Sequence, residues 1–408
     1  MHCTVVQTFR LGLALAAIAS TLALAAPARA ADTGTAGPTF GGASAPTGQK
    51  PQSKLWFNDG TWWGILYNSA VGRFEIFRDA SGVWTPTGTV VDTRHNMYVD
   101  ALWDGARLNV VSAGNATTLL GVEYTRYAYD AAARRYTRDV GPVALTDYGV
   151  EAAVLDRDGT GRLWATWTHD ANPDPAALTV VDTQVEVAHS TTGDDTWTTP
   201  FVLPVANARA VTGDDISSVV RYAGHIGVLY SNQSDASFTF ASHADGAPDD
   251  QWSVSTALQG PELADDHINV KALEGDPAGQ VFAAVKTSLN AASAPLVELL
   301  VLDDAGVWHS HTVFTVGDEP TRPQVALDPV RRQLHVFAGI GPCPPCTGGA
   351  IAVKTTSLDD PAFAPGGGTT LMASAANPDI NNPTTTKQAV DRAMPFLPVL
   401  AGSDTTNR

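Results

Sequence analysis

The sequence has little positive charge, few cysteines and no long apolar run after its first 30 residues. Only 25 of its 408 residues are Lys or Arg, against 42 Asp and Glu, so the formal net charge is -17. Nucleic-acid binding needs a basic surface, so no nucleic-acid partner is expected. The apolar content of 44% is high enough for a folded core and excludes a disordered chain.

Helical periodicity is also missing. No stretch of a dozen residues keeps the i, i+3, i+4 apolar pattern of an amphipathic helix. The 36 Gly and 26 Pro are instead spread along the whole chain. This distribution favours many short strands joined by turns, and so an all-β protein.

Residues 1–30 have the pattern of a secretory signal. Arg10 precedes an apolar run over residues 11–25, and residues 28–30 read Ala-Arg-Ala, a small-x-small cleavage motif. A transmembrane anchor would need about 20 apolar residues, and no other segment is apolar enough to span a bilayer. We therefore expect a secreted or periplasmic protein, cleaved near Ala30 and without a transmembrane segment.

Cleavage would remove Cys3 and leave two cysteines, Cys343 and Cys346, in a stretch rich in Pro and Gly. A thioredoxin-like redox pair would need a helix starting at the first cysteine, and the two intervening prolines oppose one. A zinc site would need two further ligands nearby. We predict a short structural disulfide between Cys343 and Cys346 that pins an exposed loop.

One pattern recurs seven times after residue 53: an alternating strand, an acid-and-glycine turn, and a second apolar strand. The first instance spans residues 55–67 and the seventh spans residues 389–400. Each of the first six continues into a third strand and a turn that ends in an aromatic residue. These aromatics are Trp84, Tyr136, Trp197, Trp252, Trp308 and Phe363.

The spacing of these aromatics, 52 to 61 residues, and the four strands per unit are typical of β-propeller blades. A set of β-sandwiches would not repeat one hairpin seven times. We predict a single all-β domain over residues 53–408, a seven-bladed β-propeller with six complete four-stranded blades and a partial seventh. Residues 31–52 are expected to form a flexible leader that could close the last blade.

The turns that carry the aromatics are similar to degenerate Asp-boxes, Ser-x-Asp-x-Gly-x-x-Trp. Residues 190–197 keep the Ser and the Trp, and residues 79–84 and 304–308 are shortened versions. On these motifs the mature chain resembles the secreted bacterial sialidase-like (BNR, Asp-box-type) propellers, many of them uncharacterised. The resemblance implies architecture and little chemistry. No Arg-Ile-Pro tripeptide occurs near residues 50–100, so a classical sialidase is not expected.

Ligands of propellers usually bind where the innermost strand of each blade starts, so those positions are the candidates for a site. The charge there is unusual, because three of only six lysines fall on inner strands although buried ammonium groups need partners. The candidate catalytic residues are Tyr98, Asp100, Glu151, Asp215 and His267. The candidate substrate-binding residues are Arg94, Asn269, Lys271, Arg322 and Lys387.

Such a mixed lining suits a sugar chain or another small polar ligand, and two chemistries fit it. In a uronate lyase, Arg322 and Lys387 would hold the carboxylate, His267 would be the base and Tyr98 the acid. In a glycoside hydrolase, two of the carboxylates of Asp100, Glu151 and Asp215 would flank the glycosidic bond.

The contrasting hypothesis is a non-catalytic binding or scaffold propeller of the cell envelope, with these residues forming a structural ring of ion pairs. No cofactor or metal is predicted. The pairs Asp214-Asp215 and Asp265-Asp266 could hold Ca²⁺, but alternation along a strand would turn only one acid of each pair inward. The protein is expected to be a monomer.

Overall fold

The chain folds into a β-propeller with six blades, each a sheet of four antiparallel strands. The structure, a computed structural model, describes residues 33–43, 45–48, 50–95, 97–114, 120–170, 183–341, 349–403 and 405–408. Within these ranges the only helical segments are two short 3₁₀ turns, Ala206–Arg209 and Val316–Asp318. The predicted all-β architecture is therefore confirmed. Among the described residues, no helix is long and apolar enough to cross a membrane.

The strands of each blade follow one another in sequence, from the innermost to the outermost. Blades one and two consist of β1 (Leu55–Asn58), β2 (Thr61–Asn68), β3 (Arg73–Ala80), β4 (Val83–Asp92), β5 (Tyr98–Trp103), β6 (Arg107–Ala113), β7 (Glu123–Asp130) and β8 (Arg135–Ala144). Blades three and four consist of β9 (Ala153–Arg157), β10 (Leu163–Asp170), β11 (Thr183–His189), β12 (Phe201–Val202), β13 (Ser217–Tyr222), β14 (His225–Asn232), β15 (Ser237–Ala244) and β16 (Ser253–Gln259). Blades five and six consist of β17 (Ile268–Ala272), β18 (Val281–Lys286), β19 (Pro295–Leu302), β20 (Trp308–Thr315), β21 (Pro320–Asp328), β22 (Gln333–Ile340), β23 (Ala350–Ser357) and β24 (Thr369–Ala373).

Burial explains the two kinds of strand in each blade. The second strands, such as β2 and β14, are covered on both faces and read as almost continuous apolar runs. The outermost strands, such as β4 and β20, are largely solvent-accessible on one face. Apolar clusters fill the space between neighbouring blades, for example between blades one and two and between blades four and five.

The prediction of seven blades is wrong, because the unit after blade six is only a two-stranded sheet. It pairs β25 (Asn381–Thr384) with β26 (Leu400–Gly402) and lies between blade six and blade one. Val390 and Met394 from this unit pack against Leu55 and Trp62 of blade one.

The physical reason for the short seventh unit is its proline content. Pro383 lies inside β25, and Pro395 and Pro398 precede β26, so three residues of this stretch have no backbone N–H for a ladder. The predicted strands over residues 389–400 are therefore not formed, apart from Leu400 at the start of β26.

The segment before β1 is packed into the propeller. Thr33 pairs with Ala373 of β24, and Phe40 is buried in the cluster between blades one and two. Residues 50–54 lie inside the ring, where the backbone of Ser53 accepts a hydrogen bond from the amide of Ala101 in β5. Much of the predicted leader thus forms part of the folded domain.

Tyr136, the closing aromatic of blade two, allows a direct test of the packing between blades one and two. The hydroxyl of Tyr136 accepts hydrogen bonds from Trp56 Nε1 and Asn58 Nδ2, both at 2.8 Å, and so joins β8 to β1. Tyr136→Phe leaves both donors without this acceptor, and we expect a loss of about 1–3 kcal/mol in the free energy of unfolding. Urea denaturation measures it.

Tyr129→Phe is the matched control for this prediction. The Tyr129 hydroxyl donates to Asp59 Oδ2 at 2.6 Å at the protein surface, where water can replace the lost bond. We expect its loss to stay below about 0.5 kcal/mol. Equal effects of the two substitutions would contradict a structural role for the Tyr136 hydroxyl.

Candidate functional site

A network of buried polar groups runs along the centre of the ring. Asp100 in β5 is fully buried, and its carboxylate accepts hydrogen bonds from the backbone amides of Ser53 at 2.8 Å and Leu155 at 3.0 Å. Lys387 forms an ion pair with the same carboxylate, with Nζ at 2.5 Å from Oδ2. Asp100 therefore links the segment before β1, blade three and the unit after blade six.

Two more predicted binding residues belong to this network. Asn269 of β17 is buried, donates to the carbonyl of Pro51 and accepts from the amide of Val325 in β21. The Nζ atom of Lys271 lies 2.9 Å from Ser53 Oγ. We call Ser53, Asp100, Asn269, Lys271 and Lys387 the channel network.

Carboxylates from three consecutive blades meet where the inner strands start. Oxygen atoms of Glu151, Asp214 and Asp266, which precede β9, β13 and β17, lie within 4.8 Å of one another. Lys50 contacts two of them, with Nζ at 2.5 Å from Glu151 and in close contact with Asp266. We call these four residues the mouth cluster.

The four members of the mouth cluster differ in how far solvent reaches them. The Lys50 and Asp266 side chains are 5% and 12% exposed. Glu151 is 25% exposed, and Asp214 is an exposed residue. Asp214 and Glu151 are therefore the carboxylates that a ligand arriving from solvent would contact first.

His267 lies beside the mouth cluster but below its surface. Its Nδ1 contacts Asp265 closely and lies 2.6 Å from Asp266, and Lys286 pairs with Asp265 at 2.5 Å. Burial lowers the pKa of His267 to about 4, against the opposing charge of Asp265, so the ring is neutral near pH 7. Its Nε2 is buried, and a substrate would not reach it without displacing neighbouring residues.

Both acids of the Asp265-Asp266 pair face His267, unlike the alternation expected for them. They precede β17, which begins at Ile268, so the strand rule does not apply to them. The other pair diverges: Asp214 lies in the mouth cluster and Asp215 is fully buried. The oxygens of Glu151, Asp214 and Asp266 could hold a cation, but the Lys50 ammonium already contacts two of them.

Two predicted site residues, Asp215 and Arg94, belong neither to the channel network nor to the mouth cluster. The Asp215 carboxylate accepts from the amides of Thr212 and Gln233 and so closes a turn, and burial raises its pKa. Arg94 pairs with Asp92 at 2.8 Å and donates to the carbonyl of Gly121 at 2.6 Å.

The remaining two predicted residues lie at strand starts. Tyr98 is the first residue of β5 and is half-buried. Arg322 lies at a bulge in β21, with a left-handed backbone at φ 51°. Cys343 and Cys346 fall outside the described residues, so their disulfide stays a prediction.

The sequence analysis missed Lys50, the cation of the mouth cluster. It was assigned to the flexible leader, although the scarcity of lysine could have marked it, since Lys50 is one of only six. A second missed group lies in blade three, where the buried Glu186 carboxylate binds Tyr148, Trp167, His169 and Gln184. Burial would raise the pKa of Glu186, but these hydrogen bonds hold it below its usual value.

The comparisons with known proteins give structural neighbours only. No protein-family model matches the chain, and no curated protein matches it significantly. The α-L-arabinofuranosidase Arb93A from Fusarium graminearum is 12% identical, with a TM-score of 0.47 over 76% of this chain and 94% of that chain. An α-L-arabinofuranosidase from Lactobacillus brevis is 15% identical, with a TM-score of 0.40 over 64% of this chain and 94% of that chain.

A protein of unknown function from Dyadobacter fermentans is also similar. It is 13% identical, with a TM-score of 0.44 over 71% of this chain and 86% of that chain. None of these three structures is described as a sialidase, and the resemblance to sialidase-like propellers stays an expectation from the sequence. Similarity at this level carries no argument about the activity of this chain.

We expect the protein to lose much of its stability when Asp100, the central acid of the channel network, is removed. Asp100→Ala leaves the Lys387 ammonium buried without its carboxylate, and we expect a loss of about 3–5 kcal/mol in the free energy of unfolding. Asp304→Ala, at an exposed turn, is the control and should change stability by less than about 0.5 kcal/mol. A loss below about 1 kcal/mol for Asp100→Ala would contradict the central role of this ion pair.

From its buried amines we expect the free energy of unfolding of this protein to rise with pH. Lys54 is 1% exposed, and burial lowers its pKa from 10.5 to about 7, against the charge of Asp100. Between pH 7 and 10 the unfolded chain therefore binds more protons than the native protein, so raising the pH favours the fold. The slope per group is at most about 1.4 kcal/mol per pH unit.

Lys54→Met should reduce this slope without abolishing it, because burial also lowers the pKa of Lys271 to about 7. Urea denaturation of the parent and the variant at several pH values between 7 and 10 measures the difference. Identical slopes for the two proteins would show that Lys54 is charged in the native state throughout this range.

Proposed function

We propose that the protein acts on a carbohydrate at the mouth cluster by a hydrolase-type reaction. The observation that carries this proposal is the meeting of Glu151, Asp214 and Asp266 within 4.8 Å. Glycoside hydrolysis needs two carboxyl groups beside the scissile bond, one to protonate the leaving oxygen and one to attack or to activate water.

The separation of the carboxylates favours one stereochemical outcome. Retaining glycosidases hold their two carboxyl groups about 5–5.5 Å apart, whereas inverting enzymes need about 6.5–9.5 Å to fit a water molecule. One oxygen of Glu151 and one of Asp214 lie within 4.8 Å of each other, which leaves less room than the water of an inverting enzyme needs. The proposed reaction therefore retains the configuration of the anomeric carbon.

The side chains of the mouth cluster differ in exposure, and we assign their roles in the reaction accordingly. Asp214 and Glu151 reach solvent, so we assign them to the sugar. Asp266 is held between Lys50 and His267 and acts as a positioning residue. Lys50 orients Glu151 through their ion pair at 2.5 Å.

The lyase hypothesis has less support from the geometry. Its base, His267, has a buried ring held by two acids, and its cation Lys387 is paired with the fully buried Asp100. Neither group is placed to meet a substrate that arrives from the mouth.

A second candidate function is supported by the filled channel. Lys50, Pro51 and Ser53 hydrogen-bond or pair with blades two, three, five and six, so the centre of the ring is occupied by the chain itself. A propeller whose central charges satisfy one another suits a non-catalytic binding or scaffold role. The two functions differ in whether a bound glycan is cleaved.

We also propose that the protein acts outside the cytoplasm. The support is the signal-like pattern of residues 1–30, with cleavage near Ala30. Expression of the full chain followed by N-terminal sequencing of the exported product checks this, and a product that begins at Met1 would contradict it.

A panel of aryl glycosides and of neutral and acidic polysaccharides tests the hydrolase proposal. We expect turnover of at least one substrate by the parent, and a fall in kcat of at least about 100-fold for Glu151→Gln and for Asp214→Asn. Asp304→Asn at an exposed turn is the matched control and should act like the parent. Circular dichroism confirms that each variant is folded.

The outcomes separate the two candidate functions. Binding of a polysaccharide without any turnover supports the scaffold. Turnover that both substitutions leave unchanged would overturn the assignment of the mouth cluster, and neither binding nor turnover would overturn both functions.

A further inference from the structure

A cavity lies at the end of the ring where the inner strands finish. Its volume is about 210 Å³, and it opens between the ends of β5, β9, β13 and β17, away from the mouth cluster at their starts. Its wall includes Trp103, Asp156, Val219, Lys271, Glu274 and Lys387. The volume is below the range of about 300–1,000 Å³ that is usual for small-molecule pockets, so only a small ligand fits.

Lys271 is the unusual member of this wall. Its side chain is buried, with 4% of the residue exposed, and its Nζ donates to the neutral Ser53 Oγ at 2.9 Å. Among the described residues, no carboxylate lies within 4.0 Å of this nitrogen. The carboxylates of Asp100 and Asp156 act on this amine only from a longer range, so an anion in direct contact with it would favour its ammonium form.

The other charges of the wall have partners. Lys387 pairs with Asp100 at 2.5 Å, and Arg221 pairs with Glu274 at 3.1 Å at the rim. Asp156 accepts a hydrogen bond from the backbone amide of Arg221 at 2.8 Å. Among the described residues, Lys271 is thus the amine of this wall that has no carboxylate in direct contact.

We propose that this cavity binds a small hydroxycarboxylate, with its carboxylate against Lys271 and its hydroxyl groups against Asp156. Trp103 and Val219 provide apolar contacts for the carbon skeleton, and the rim pair of Arg221 and Glu274 flanks the entrance. Because the cavity and the mouth cluster lie at opposite ends of the inner strands, this site does not depend on the proposed hydrolase activity.

Proton uptake is the expected signature of binding. Burial and the nearby charge of Lys387 lower the pKa of Lys271 to about 7, against the opposing charges of Asp100 and Asp156, so above pH 7 the amine is mostly neutral in the free protein. An anion beside it favours the ammonium form. Binding at pH 8 should therefore take up a proton, up to about 0.9 per ligand, and affinity should fall as the pH rises above 7.

Isothermal titration calorimetry with glucuronate tests the proposal on the whole protein. Titrations at pH 8 in two buffers with different ionisation enthalpies give the number of protons taken up. We expect binding of glucuronate with proton uptake, and no measurable binding of glucose, the neutral analogue. Lys271→Met, of similar volume, should weaken glucuronate binding at least about 30-fold and abolish the uptake.

Lys354→Met is the matched control. Lys354 is another buried lysine with a lowered pKa, but it lies on β23 of blade six and donates to the carbonyls of Val313 and Ala364. Its loss should leave glucuronate binding unchanged. Glu151→Gln at the mouth should also leave it unchanged, which separates this site from the proposed hydrolase site.

Two results on affinity would overturn the proposal. One is a parent protein that binds glucuronate no better than glucose, and the other is binding by Lys271→Met equal to that of the parent. The proton uptake is measured on the parent, so the test does not depend on whether the variant folds. Binding without any uptake would also overturn the assignment, because it would place the carboxylate away from Lys271.

Discussion

The ion pair of Asp100 and Lys387 is the interaction on which the centre of this propeller depends. It joins β5 to the unit after blade six, and the same carboxylate fixes Ser53 and the start of blade three. A carboxylate with no exposed surface costs several kcal/mol unless it is paired and hydrogen-bonded, and here every contact comes from a different part of the chain. Removal of any one contact would leave charge buried in the channel, so the four segments must assemble together.

This constraint also determines where chemistry can take place. Side chains deep in the ring, such as Asp100 and Asn269, are occupied by one another and by the segment that precedes β1. Along the described inner strands, the titratable groups that a ligand could reach lie at the two ends. At one end three carboxylates meet, and two of them contact Lys50. At the other end the buried Lys271 has, among the described residues, no carboxylate in direct contact.

The repeat of apolar strands and closing aromatics was sufficient to predict the propeller, because each blade uses the same local signals. Trp84, Tyr136 and Trp308 lie in the outermost strands of their blades, where the spacing places them. The number of blades was not predictable in the same way. Pairing in the last unit depends on which residues lack a backbone N–H, and Pro383 and Pro398 limit it to a short pair of strands.

Prediction of the site failed where it depended on contacts between distant residues. The starts of the inner strands were found from the sequence, and Glu151 does lie at the mouth. However, Asp214 and Asp215 precede β13, where strand alternation does not fix side-chain directions, so Asp215 caps a turn while its neighbour Asp214 reaches the cluster. Lys50 is separated from Asp266 by 216 residues, and no local pattern reports such a pair. The scarcity of lysine was the usable signal, because lysine is normally exposed and four of the six here, Lys50, Lys54, Lys271 and Lys354, are buried.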